Sequence, residues 1–189
     1  MRRSLLSLVC VLVLLSGTAG ATVLLPIEFR ELVTSANVIV HGRVVDVRAE
    51  WVDGRRAVET FVTIQADEYL KGNLGDHVTF KVPGGQLGRY RTVFVGAPIF
   101  TTDDEVVLFL KANGQSFPFI IGLTQGLFRV VDDGATGDRR VTPPPVLDRS
   151  GVESQSVVRG DPARKSVPVA TFRQLVARVL REAGQGGNR

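Results

Sequence analysis

Two histidines, one cysteine and a few clustered carboxylates are the stock from which this chain could build acid–base, nucleophilic or metal chemistry. His41 and His77 belong to no His-Glu-x-x-His stretch, and no paired cysteines supply the donor set of a structural zinc site. A zinc centre would have to be assembled from isolated residues. Both histidines fall on the outward parity of strand-like runs, which predicts solvent-facing or loosely hydrogen-bonded imidazoles rather than ligands. No Gly-x-Ser-x-Gly elbow presents a serine nucleophile. The expected complement of catalytic, cofactor-binding and metal-ligating residues is therefore none, the enzymatic alternative being a hydrolase that uses His41 or His77 with nearby carboxylates.

Three other groupings bear on chemistry. Asp103-Asp104-Glu105 could offer oxygens to calcium, but three acids before an apolar run read as a solvated turn. Asp132-Asp133-Gly134 with Asp138 lacks the alternating spacing and terminal glutamate of an EF-hand loop. The glycine-rich stretch 84–88, followed by Arg89 and Arg91, lacks the Lys-Ser/Thr ending and strand-to-helix context of a phosphate cradle, so it reads as a hairpin rim. That rim, with Arg89, Tyr90, Arg91, Phe94, Ile99 and Phe100, is the candidate partner-binding surface, because loops on a rigid scaffold carry binding and exposed aromatics anchor interfaces. The same aromatics could instead complete the second face of the fold.

The cysteine sits at position 10, inside a segment with the anatomy of a secretory signal. Arg2 and Arg3 precede an apolar run over residues 5–15, and Ala19-Gly20-Ala21 supplies a small-x-small cleavage site. Residues 1–21 read as a signal peptide, and the run is too short to span a bilayer of about 30 Å. Cleavage after Ala21 would leave an exported protein, periplasmic or secreted, with no thiol and no transmembrane anchor. Disulfide scaffolds and thiol enzymes are excluded on that reading.

Charge is split along the chain. Residues 22–138 carry 11 basic and 15 acidic side chains, whereas residues 139–189 carry 10 basic and 4 acidic. A basic tail on an acidic body docks on its own domain or meets an anionic partner such as nucleic acid or polysaccharide. The arginines are spread singly without interleaved aromatics, which favours self-docking and argues against a nucleic-acid arm.

The elements that must position these residues are mostly strands. Phe29, Leu32 and Val33 recur at helical spacing after Pro26, predicting a short helix over residues 27–36. Residues 38–51 are β-branched, with the inward face switching parity at Val44-Val45, as a bulge near Gly42 would produce. Asp53-Gly54 signals a hairpin into a long alternating strand over 57–70. Val78, Phe80 and Val82 mark a third strand, residues 90–95 a weaker one, and residues 106–110 a central strand buried on both faces. Asn113-Gly114 and Gln125-Gly126 turn the chain into strands over 117–123 and 127–131. Pro143-Pro144-Pro145 opens a linker. Phe172, Leu175, Val176, Val179 and Leu180 then form one stripe of an amphipathic helix.

The run Ser35-Ala36-Asn37-Val38-Ile39-Val40-His41-Gly42-Arg43-Val44, the strand ending Tyr69-Leu70-Lys71-Gly72, and the strand from Glu105 to Lys111 resemble the netrin-like domain shared by tissue inhibitors of metalloproteinases. They also resemble cysteine-free, uncharacterised exported bacterial proteins that add Pro83-Gly84-Gly85, Gly96-Ala97-Pro98 and Gly122-Leu123-Thr124-Gln125-Gly126. The resemblance implies a mainly β fold, a small closed or partly open OB-type barrel with a short N-terminal helix and a C-terminal amphipathic helix. The resemblance covers roughly residues 29–131; with the signal, the Pro-rich stretch and the helical stripe read above, the chain divides into a signal peptide (1–21), a barrel domain (22–141), a Pro-rich linker (142–167) and a docked helix (168–189). The resemblance also implies non-enzymatic binding of an exported protein, with a secreted protease as the partner class. The inhibitors chelate their target's zinc through an N-terminal cysteine that has no counterpart here, so no inhibitory residue carries over.

Overall fold

The computed structural model describes residues 27–114, 116–134, 137–144 and 165–186; the expected signal peptide and most of the expected linker lie outside the described residues. Five strands close a ring. β1 (Val38–Val52) pairs antiparallel with β2 (Ala57–Lys71), and β2 with β3 (His77–Pro83). β3 lies parallel to the short β7 (Phe119–Ile120), which pairs with β6 (Glu105–Lys111), and β6 returns to β1. The result is an OB-type barrel, in which closure removes the unpaired edges of a small sheet.

Alternation along these strands fills the barrel. Val40, Val44, Val62, Ile64, Phe80, Val106 and Leu108 point inward and are fully buried. The parity switch expected in the first strand is present: Val44 opposes Ile64 and Asp46 opposes Thr63, leaving Val45 as the extra residue. Val45 itself is exposed, and Val47 resumes the inward set.

The sheet continues past the ring. β6 also pairs with β8 (Leu127–Asp132), β8 with β9 (Arg139–Thr142), and β9 with the two-residue β10 (Val167–Pro168). Two helices, α1 (Phe29–Ser35) and α2 (Val169–Gly186), cover the outer face of this extension. A second core lies between them. Phe29 from α1, Phe109 from β6, Phe128 from β8 and Phe172 from α2 form a cluster in which every ring meets the other three, at centroid separations from 5.3 to 6.4 Å. Leu175, Val179 and Leu180 pack around it, as the helical stripe predicted.

Two lysines tie the seven-residue α1 to the barrel. Lys71 Nζ donates to the carbonyls of Val33 and Thr34 at 2.9 and 3.0 Å, and Lys111 Nζ to that of Ser35 at 3.2 Å. Cations at a helix C-terminus satisfy orphan carbonyls and oppose the helix dipole. Burial, with the neighbouring Lys111 charge, holds the Lys71 ammonium below its ordinary range.

Two expected strands differ. The segment expected as 90–95 pairs only over β5 (Tyr90–Thr92), against β4 (Gly85–Leu87), and Val93 to Val95 leave the sheet. The one expected as 117–123 shrinks to Phe119–Ile120, because Gly122 turns into the left-handed region (φ 61°) and a 3-10 turn over Leu123–Gly126 follows. Gly126 is required there by space rather than by φ, since a Cβ would meet the Ile121 carbonyl oxygen at 2.6 Å. β9 and β10 were not expected. They are too short to show an alternation of their own.

Candidate functional site

Two features stand out, one apolar and one ionic. The first is the connection between β5 and β6. Long irregular connections in small domains are commonly functional. Phe100 anchors its far end inside the barrel, edge-on to Phe80 with centroids 5.4 Å apart, which corrects the expectation that Phe100 belongs to the partner-binding rim. Arg129 Nη2 donates to the Ile99 carbonyl at 2.5 Å, and its Nη1 pairs with Asp104 at 2.7 Å. The Asp104 carboxylate also accepts from the Thr101 amide at 2.8 Å. The base is thus pinned while the tip stays apolar and open: Val93, Val95 and Ile99 are 68%, 79% and 81% exposed, and Phe94 is half exposed.

The remaining rim residues lie close by in the chain. Tyr90 packs edge-on to Trp51 at 5.0 Å, with the Arg89 guanidinium over its ring at 5.1 Å, and Arg91 is exposed beside it. Phe119 and Pro98 line a shallow cleft of about 240 Å³ with Glu59, Lys81 and Leu123. Phe117, exposed nearby in sequence, rests on Phe61. Sequence reading did not single out Val93, Val95, Phe117 or Phe119, because apolar residues in strand-like runs are assigned by default to the core.

The second feature centres on His41. His41 keeps the expected outward parity, but it is only 4% exposed, so the solvent-facing alternative is corrected and the hydrogen-bonded one remains. Its Nε2 hydrogen-bonds Glu105 Oε1 at 2.6 Å, across the β1–β6 pairing. Glu105 is also held by Arg139 from β9 and faces Arg43 at 3.6 Å. On the other side, Glu68 of β2 pairs with Arg173 of α2 at 2.7 Å. Burial holds the His41 pKa below its ordinary value; Asp67 and Glu68 oppose that shift, and Arg139 and Arg173 reinforce it.

A bulge builds this cluster. His41 opposes Glu68 while Gly42 opposes Ala66, so Asp67 is an extra residue in β2. A bulge re-aims side chains that strict alternation would send elsewhere. Gly42 makes the close approach feasible, since a Cβ there would sit 2.3 Å from the Gln65 carbonyl oxygen. A ring nitrogen of His41, a carboxylate oxygen of Asp67 and one of Glu105 consequently lie within 4.8 Å of one another. No sequence spacing announces this group, which three separate strand positions and one irregular pairing bring together.

The other groupings resolve plainly. His77 is exposed at the start of β3. Asp103-Asp104-Glu105 does not act as one loop: Asp103 takes the turn (φ 72°), Asp104 binds Arg129, and Glu105 enters the His41 cluster. Asp133 and Asp138 close the β8–β9 turn through a backbone hydrogen bond of 2.8 Å. The glycine stretch forms the tight β4–β5 hairpin. Among the described residues, three arginines of the basic tail are spent on the protein itself: Arg139 on Glu105, Arg173 on Glu68, and Arg140 on the Ser166 carbonyl at 2.5 Å.

Compared with family models, with curated proteins and with solved structures, the chain finds no match in any of the three. Among the described residues no helix is long and apolar enough to cross a membrane.

Proposed function

We propose that this chain is an exported, non-enzymatic binding module that docks a protein partner through the β5–β6 connection. The observation that carries the reading is the pinned loop with an open apolar tip. Exposed apolar groups cost free energy in water, so a cluster of them held by an ordered base is the signature of a surface meant to be covered. Val93, Phe94, Val95 and Ile99 would supply the apolar centre, and Arg89, Tyr90 and Arg91 a polar and aromatic rim. The commitment of Arg139, Arg140 and Arg173 to internal partners favours this over capture of a polyanion by the basic tail.

The netrin-like resemblance makes a secreted protease the first partner class to test, as a target of inhibition or of an accessory factor. Tagged protein starting at Thr22 would be used to retain partners from the native exported fraction at low and high salt, beside a Val95→Asp/Ile99→Asp double variant. Wild-type protein is expected to hold one protein at high salt and to change its activity if it is a protease. The variant should lose it with an unchanged melting temperature. Equal retention by both proteins, or retention by neither, overturns the reading.

A further inference from the structure

We infer that His41, Asp67 and Glu105 form a binding site for one divalent transition-metal ion, zinc being the ion that suits the donor set best. The ligand types are those of zinc sites built from imidazole and carboxylate, and the donor atoms already lie within 4.8 Å of one another. An ion with bonds of about 2.0–2.2 Å draws such donors together by only a modest amount.

The cluster is more than a group of surface acids. His41 is 4% exposed, and its Nδ1 is buried without a hydrogen-bond partner. A buried polar atom left unsatisfied is costly, so such atoms call for an explanation. An ion on Nδ1 would satisfy that atom while Nε2 keeps its hydrogen bond to the Glu105 carboxylate, the usual arrangement around metal-bound histidine. The bulge that brings in Asp67 costs regular pairing and demands Gly42, yet Asp67 has no ion pair among the described residues. As a metal ligand it would have a function.

The positive groups are arranged to yield. Arg139 and Arg43 neutralise Glu105 in the metal-free protein, and both are about half exposed, so either can swing into water when a cation arrives. Arg139 is therefore a competitor for the ion, which is a testable property that a casual surface site would lack.

The test is titration of chelator-stripped full-length protein with Zn²⁺ by calorimetry, and with Co²⁺ by visible absorption. One equivalent should bind, and cobalt should show the d–d bands of a low-coordinate nitrogen–oxygen site. Asp67→Asn, at an exposed position that leaves the fold intact, should weaken binding by at least about 10–100-fold, the range for losing even an outer-shell partner. Arg139→Gln should tighten it, and His77→Ala should leave it unchanged. His41→Ala adds a direct ligand deletion if it folds. The proposal is overturned if no stoichiometric binding occurs, if Asp67→Asn binds as wild type does, or if affinity follows His77.

Discussion

Phe172 is the residue whose loss should say most about how the fold is held. It is 2% exposed and meets Phe29, Phe109 and Phe128 at 5.7, 6.4 and 5.3 Å, so it joins α2 to α1, β6 and β8 at once. Phe172→Ala removes a buried aromatic from a site that cannot collapse without moving four elements, and such truncations cost about 3–5 kcal/mol. With a urea m-value of about 2 kcal/mol per molar for a domain of this size, the midpoint should fall by about 2 M. Equilibrium urea unfolding followed by far-UV circular dichroism and by Trp51 fluorescence measures it. The half-buried Leu175→Ala should cost less, about 1–2 kcal/mol. A Phe172→Ala loss below about 1 kcal/mol, or a first transition in which circular dichroism changes while Trp51 does not, would refute the claim that α2 belongs to a shared core.

Gly42→Ala should destabilise by more than about 2 kcal/mol, because the added methyl meets backbone rather than a yielding side chain; thermal melts with hydrogen exchange at the β1–β2 pairing check it. Lys71→Met should cost about 1–2 kcal/mol by stripping hydrogen bonds from the end of α1, read as a lower urea midpoint. For metal-free protein, His41 binds its proton more weakly folded than unfolded, so the unfolded state holds more protons below about pH 6.5 and stability falls as pH drops through that value. The groups facing it are Asp67 and Glu68 on β2, Glu105 on β6, Arg139 on β9 and Arg173 on α2. Melting temperatures from pH 7.5 to 5.0 should decline more steeply for wild type than for His41→Gln; parallel slopes would contradict the assignment.

The residues that could be read in advance were those whose burial follows from local period. Val62 and Ile64, or Phe172 and Val176, show their inward face within one element, and the Val44-Val45 switch revealed its bulge because both flanking parities were apolar. His41 was misread for a definable reason. Its parity pointed outward, but outward here means beneath a layer supplied by residues far along the chain, Arg139 and Arg173 among them. Asp67 was hidden because a bulge cancels the alternation on which parity depends. Phe100 was misplaced since nothing local distinguishes an anchoring phenylalanine from its exposed neighbours Phe94 and Ile99.

β6 has a consequence for how the molecule comes apart. Val106, Leu108 and Leu110 belong to the barrel interior while Val107 and Phe109 belong to the outer layer, and the strand pairs with β1, β7 and β8. A seven-residue segment serving both sides of the sheet leaves no intermediate in which one layer survives the other intact. Its amides should exchange with solvent only through the whole-molecule opening, last of all in the chain. Assembly must wait for it as well: the ring closes only when residues near 40 find residues near 107, a distant pairing that makes for slow, all-or-none folding.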